Sequence, residues 1–330
     1  MTHRSTPLFV CFFISFCIAV PAIAQTTGEA AQQGPATKKV AKTPEQYDKS
    51  VPEPTLSGVK YGDHNRHVLD FWRAESKSPT PLVFVIHGGG WTGGSKERIY
   101  RFADVAALLD AGISVVAINY RYVTQAGKVS PPVKVPLHDA ARALQFVRTK
   151  AAEWNIDKQR IGAAGGSAGA CSSLWLAFHD DLAVVDSEDP VARESSRLWC
   201  AAVVGAQTSL DPKQMKEWTP NSKYGGHAFG KANFAEFLAD REMILPWIAE
   251  YSPYALVSKD DPAVFLTYSS PPALGKDAKD PTHTSNFGVK LKEHCESTGV
   301  ACELVYPGAP NVTHKTPTEF LIATLKKDAP

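Results

Sequence analysis

The residues best placed by type and spacing to do chemistry lie in two short runs: Gly165-Gly166-Ser167-Ala168-Gly169 and His87-Gly88-Gly89-Gly90-Trp91. In the first, a serine is framed by small residues in the spacing G-x-S-x-G. Such a run between a strand and a helix makes a tight turn that lifts the serine oxygen above a sheet. The following helix then points its N-terminal N–H groups at any negative charge that develops there. In the second run, three consecutive glycines suit a place where backbone must approach a ligand. Their amides can turn inward beside that of Ala168 and hold the oxygen of a tetrahedral intermediate, each such donor being worth about 3–4 kcal/mol of barrier. Together the runs point to attack on a carbonyl. His87 reads as a strand-end residue that props the loop, and Trp91 is expected to form one wall of the acyl or leaving-group pocket.

These runs need elements to position them. Buried-type strands are predicted over 82–86, directly before the glycines, and over 160–164, directly before the serine, with a helix over 167–178 behind it. Further strands are expected over 68–72, 113–118, 200–205, 263–268 and 302–306. Helices are expected over 98–110, 137–154, 287–295 and 316–326. Strands alternating with helices imply an α/β fold, a mostly parallel central sheet with helices on both faces. Residues 207–258 break the alternation, with helix only over 232–240 and 243–251. A long excursion after a central strand usually sits over the edge where ligands bind, so it is expected to contribute to a pocket wall as a partial insertion over the site.

The chain has 330 residues, 44% of them apolar, with a formal charge of +1. That is an ordinary globular balance, without the basic surplus of a nucleic-acid binder. His3 and Arg4, the apolar run 8–20 and Ala22-Ile23-Ala24 have the form of a signal peptide over 1–24. A secreted or periplasmic destination follows. Residues 25–57 lack apolar periodicity and read as a disordered leader or tether, leaving 58–330 as the catalytic domain. After cleavage four cysteines remain. Cys295 and Cys302 bracket a short turn and are expected to close a small disulfide loop in an oxidising compartment, while Cys171 reads as a small buried residue. No Cys/His cluster has zinc spacing, so no metal is expected.

With the residues 69–71, 119–121 and 157–162 around them, the two runs resemble the HGGG-bearing esterases of the α/β-hydrolase superfamily. These are the hormone-sensitive-lipase-like esterases and the carboxylesterases related to feruloyl and acetylxylan esterases. The resemblance implies ester hydrolysis through an acyl-enzyme without a cofactor, with Ser167 as nucleophile and Gly89, Gly90 and Ala168 as oxyanion donors. It also implies the chain order serine, acid, histidine. The base should follow the last strand, which selects His314 over His283 and His294. The acid belongs in the loop after the strand 263–268, where Asp277 is preferred and Asp280 is the alternative. Expected substrates are small-molecule or polysaccharide-linked esters, with no nucleic acid, and no membrane after signal cleavage. A peptidase or amidase of the same fold, or a hydrolase-fold binder without turnover, are the alternative readings.

Overall fold

A computed structural model describes residues 46–327, so the expected signal peptide and most of the leader lie outside the described residues. The strands are β1 (Leu56–Lys60), β2 (Val68–Trp72), β3 (Thr80–Ile86), β4 (Ser114–Ile118), β5 (Ile156–Gly166), β6 (Cys200–Val204), β7 (Ala263–Thr267) and β8 (Cys302–Val305). They form one sheet in the order β1-β2-β4-β3-β5-β6-β7-β8. β2 runs antiparallel to β1 and β4, and the remaining neighbours are parallel.

The two-residue period of a strand decides which side chain joins which half of the core. On one face Leu82, Phe84 and Ile86 of β3 and Val116 and Ile118 of β4 join Ala163 and Val203. The same strands send Val83, Val85, Val115 and Ala117 to the other face. Each such valine, leucine, isoleucine or phenylalanine contributes about 1.5–3 kcal/mol by leaving water. Continuous apolar runs therefore mark strands covered on both faces.

The covering helices are α1 (Val105–Asp110), α2 (Lys134–Thr149), α3 (Ala151–Trp154), α4 (Ala168–Phe178), α5 (Pro212–Trp218), α6 (Phe234–Ala239), α7 (Leu245–Tyr251), α8 (Pro253–Leu256), α9 (Asn286–Thr298) and α10 (Pro317–Leu325). Leu144 of α2, Trp175 of α4 and Leu291 of α9 pack on the first face. Leu108 of α1 and Phe320, Leu321 and Leu325 of α10 pack on the second.

Several expectations change. The helix predicted over 98–110 is broken into a 3-10 turn, Lys96–Arg101, and α1. Asp104 causes the break: its carboxylate accepts the Ala107 amide at 3.1 Å and so starts a new helix. The C-terminal end of the leader is packed rather than loose. Val51 is buried, the Tyr47 hydroxyl donates to Asp70 at 2.6 Å, and Trp72 Nε1 donates to the Pro52 carbonyl at 2.8 Å. Cys295 and Cys302 are buried free thiols, not a disulfide. Backbone closes their turn instead, the Val300 amide donating to the Cys295 carbonyl at 2.9 Å. Cys171 is buried as expected.

Candidate active site

Ser167 sits where β5 ends and α4 begins, half-buried, with φ 54° and ψ −121°. That is a strained conformation for a residue with a side chain. Its amide donates to the Val204 carbonyl of β6 at 2.9 Å, which pins the turn to the sheet. The turn also requires its glycines by close approach. A Cβ on Gly169 would come within 2.1 Å of the Ile86 carbonyl oxygen, and one on Gly165 within 2.6 Å of the Gly169 oxygen. No methyl group fits either gap, so β5, α4 and the end of β3 are locked together around the serine.

The glycine loop leaves β3 immediately beside this turn. Gly89 has φ 113°, a region that L side chains rarely adopt, and its carbonyl accepts the amides of Thr92 and Gly93 at 3.0 and 3.1 Å. Among the described residues, no hydrogen bond uses the amide N–H of Gly89, Gly90 or Ala168. Three donors are thus left for an incoming anion, as an oxyanion site requires. The loop is braced from behind. Buried His87 stacks on Tyr120, with ring centroids 4.2 Å apart, and the Tyr120 hydroxyl donates to the His87 carbonyl at 2.8 Å. His87 Nδ1 faces the Gly88 carbonyl at 2.7 Å and its Nε2 faces the Arg66 guanidinium at 3.3 Å. A carbonyl on one side and a guanidinium on the other suit a ring that donates from Nδ1 and accepts at Nε2. His227 holds the far end, its Nε2 donating to the Gly90 carbonyl at 2.8 Å. Burial holds the His227 imidazole below its ordinary pKa despite that bond, which suits a neutral donor.

The histidine that meets the serine is His283. Its Nε2 lies 2.9 Å from Ser167 Oγ, and its Nδ1 lies 2.8 Å from Asp280 Oδ2. Both residues come from the loop between β7 and α9. Asp280 also accepts the amides of Thr282 and His283 at 3.0 and 3.3 Å. This Asx turn places the histidine three residues on, facing the carboxylate. Burial pushes the Asp280 carboxyl up, but the hydrogen bond and charge of His283 outweigh it and leave it below the ordinary value. Gln207 Nε2 donates to the Thr282 carbonyl at 2.7 Å and fastens the loop to the end of β6. Asn286 ties it to the excursion, accepting the Ala273 amide at 2.7 Å and donating to the Trp218 carbonyl at 2.8 Å.

An open cavity of about 330 Å³ surrounds these groups. Gly88, Gly89, Gly166 and Ser167 line it together with Arg98, Arg101 and Phe102 and with residues from the ends of β6 and β7 and beyond, Asp280 and His283 among them. A serine, a base with its carboxylate and the glycine loop around one cavity can carry acyl transfer.

Residues 69–272 match the family model described as BD-FAE. The chain belongs to the BD-FAE family. The match covers the serine turn and the glycine loop but ends before Asp280 and His283. Among curated relatives is LipM of Mycobacterium tuberculosis, a probable carboxylic ester hydrolase. It is 36% identical over 126 residues, covering 36% of this chain and 27% of LipM. The esterase LipQ of the same organism is 32% identical over 141 residues, 41% of this chain and 30% of LipQ. The aligned stretch thus spans less than a third of either relative. Among solved structures, a truncated carbohydrate esterase from gut microbiota has a TM-score of 0.60 at 20% identity, over 79% of this chain and 90% of that one. Thermogutta terrifontis esterase 2 phosphonylated by sarin has a TM-score of 0.58 at 22% identity, over 77% and 84%. At these identities the likeness is one of fold, the α/β-hydrolase fold.

Within this BD-FAE chain, the expected site residues divide. Ser167 and Gly89 line the one cavity and Ala168 follows the serine directly, while Gly90 lies outside the lining with its carbonyl held by His227. His314 does not join them. Its Nδ1 lies 3.0 Å from both carboxylate oxygens of Glu303 on β8, and its ring meets Phe320 edge-on. The path of residues 310–313 is the reason: with Asn311 at φ 52°, they lie along β8 instead of reaching over the sheet. Asp277 is exposed and has no hydrogen bond or ion pair among the described residues, so the alternative, Asp280, is the carboxylate that faces a histidine. Trp91 is not a pocket wall. It is fully buried, and its Nε1 donates to Ser172 Oγ of α4 at 3.0 Å, which anchors the glycine loop to the helix behind the serine.

The excursion does not line the cavity either; none of the lining residues falls in 207–258. It supports the loops that do, through His227 and through Trp218, Thr219 and Asn221. Sequence reasoning passed over Arg66, Arg98, Arg101, Gln207, His227 and Asn286. The one local signal for the base was the run Asp280-Pro281-Thr282-His283, an aspartate followed by proline and a histidine three residues on.

Proposed function

We propose that this protein hydrolyses carboxylic esters, with Ser167 as nucleophile, His283 as general base and acid, and Asp280 orienting the imidazole. The observation that carries the reading is the 2.9 Å approach of His283 Nε2 to Ser167 Oγ inside the cavity, beside the unused amides of the glycine loop.

The steps follow from that approach. As Ser167 Oγ attacks the ester carbonyl, His283 Nε2 takes its proton, and Asp280 stabilises the imidazolium through Nδ1. The amides of Gly89, Gly90 and Ala168 hold the negative oxygen of the tetrahedral intermediate. Its collapse breaks the ester C–O bond, and His283 returns the proton to the departing alcohol. Water then attacks the acyl-serine by the same route in reverse and releases the acid. The esterases LipM and LipQ support the ester class, and the carbohydrate esterase among the structural neighbours favours acyl groups carried on saccharides. Feruloyl esters of polysaccharides fall within the same reading, as does export through residues 1–24.

Hydrolysis of p-nitrophenyl acetate, butyrate and octanoate by the full chain and by Ser167→Ala tests it. Turnover that disappears with the hydroxyl, and that falls with acyl length once the chain outgrows the cavity, is the expected result. A folded wild type without turnover of any of the three overturns it.

A further inference from the structure

The cavity around Ser167 is lopsided in charge. Of its lining residues, Asp280 is the one carboxylate, and it is engaged with His283. Two arginines, Arg98 and Arg101, line the same space. Both project from the 3-10 turn Lys96–Arg101, the segment that follows the glycine loop. Arg98 is half-buried and Arg101 exposed. Arg101 Nε donates at 3.1 Å to the hydroxyl of its neighbour Tyr100, a neutral partner, and no ion pair among the described residues uses it. Glu97, the one acid on the same turn, pairs with Lys96 at 2.6 Å, and Lys96 also pairs with Asp70 at 2.7 Å.

Topology says which part of a substrate meets this charge. The arginine turn packs on β3 and β4, on one side of the β5 strand that ends in Ser167. His283 comes from the loop after β7, on the other side. In ester hydrolysis the departing oxygen must lie within reach of the histidine that protonates it. The carbonyl oxygen is directed to the glycine-loop amides. What remains, the acyl chain, is the part free to extend toward the arginines. Guanidinium is a planar fork suited to carboxylate, and a charge-assisted bond inside a cleft is stronger than a neutral one.

We propose that Arg98 and Arg101 select esters whose acyl group carries an anionic end, a carboxylate in the simplest case, such as a half-ester of a dicarboxylic acid. This deepens the esterase reading and rests on it. The cavity then does more than accept short acyl groups: it ranks them by charge.

The test compares the mono-4-nitrophenyl ester of adipic acid with 4-nitrophenyl hexanoate, which has the same chain length and no charge, corrected for spontaneous hydrolysis. The expected ratio of kcat/KM, adipate over hexanoate, exceeds one in the wild type. It falls about tenfold in the double variant Arg98→Gln/Arg101→Gln, the size of one charge-assisted hydrogen bond. Arg101→Lys, which keeps the charge, retains most of the preference, and Arg101→Glu reverses it. Added salt weakens the wild-type ratio, because charges at an open cleft are screened. Circular dichroism of each variant separates lost folding from lost selection.

Hexanoate turnover with no adipate preference, or a ratio unmoved by Arg98→Gln/Arg101→Gln, overturns the proposal and leaves the esterase reading standing. A preference confined to charge on the leaving alcohol, read with 4-acetoxybenzoate against phenyl acetate, overturns it as well. Turnover of none of these esters removes both readings together.

Discussion

Asp280 and His283 occupy one loop, three residues apart, with Asp280 Oδ2 2.8 Å from His283 Nδ1, so a single segment presents both charge partners to Ser167. When acid and base come from different loops, each needs its own support. Here one Asx turn sets their mutual geometry, and Gln207 and Asn286 fasten the whole unit to the sheet and the excursion.

The two histidines are separable by substitution. His283→Ala should reduce kcat on p-nitrophenyl acetate by at least about 10⁴-fold, since the serine would lose its base and the loss of one triad member removes most of the effect of all three. His314→Ala removes a contact to Glu303 on β8 and should leave kcat at the same order of magnitude. The reverse pattern would return the base to the loop after β8.

For the acid, Asp280→Asn keeps the shape and removes the charge that stabilises the imidazolium. The Asp280 side chain is 60% exposed, so water can partly replace it. We expect a loss of roughly 10²-fold in kcat, smaller than the ~10⁴-fold typical of a buried triad carboxylate. Asp277→Asn, on the exposed part of the same loop, should leave kcat near wild type. Steady-state kinetics of the pair decides between the carboxylates, and equal losses would show that neither is specific.

The uneven legibility of this site has a physical basis. Ser167 and the glycine loop are read from sequence because their constraint is local. Gly165 and Gly169 are dictated by backbone contacts within two or three neighbouring strands, and any sequence making that turn must carry them. The sheet is read for a similar reason: Leu82, Val83, Phe84, Val85 and Ile86 are apolar without interruption because β3 is covered on both faces. The base is another matter. A rule of chain order selects the loop after the last strand, whereas reach is decided by the path of residues 310–313, which no periodicity encodes. Trp91 misled for the opposite reason. An aromatic after a glycine run suits a pocket wall, but the positive φ at this residue turns its ring into the core.

That burial is testable by stability. Trp91→Ala should destabilise the protein by about 3–5 kcal/mol, the usual cost of emptying a large buried aromatic site. Trp91→Phe should cost less, because it keeps most of the volume but leaves Ser172 Oγ without its indole donor. Urea unfolding measures both. A Trp91→Ala protein of wild-type stability with only a raised KM would instead make the indole a substrate contact.

Asp139 of α2 supplies a dependence of stability on pH. It is almost fully buried, and it receives the Arg121 guanidinium at 2.6 and 2.9 Å and the Arg121 amide at 2.9 Å, with His67 Nε2 3.0 Å away. Burial alone raises its carboxyl pKa, yet the nearby His67 ring and the bonds from Arg121 prevail and hold it below the ordinary value. A carboxyl lowered on folding stabilises the native state above its unfolded pKa, near 3.9, and that contribution is lost as the pH falls through the folded value. Asp139→Asn should therefore cost roughly 1–3 kcal/mol at neutral pH, less than for a wholly buried pair because Arg121 is 33% exposed. The deficit should shrink as the pH drops below about 4, where the wild-type carboxylate is itself being protonated. Urea unfolding of both proteins between neutral pH and pH 3 reads the two curves. Curves that converge on acidification fit this account, while a gap that stays constant would assign the role of Asp139 to packing and not to its charge. Arg121 adjoins Tyr120, whose hydroxyl holds the carbonyl of His87, so the same ion pair ties the stability of α2 to the base of the glycine loop.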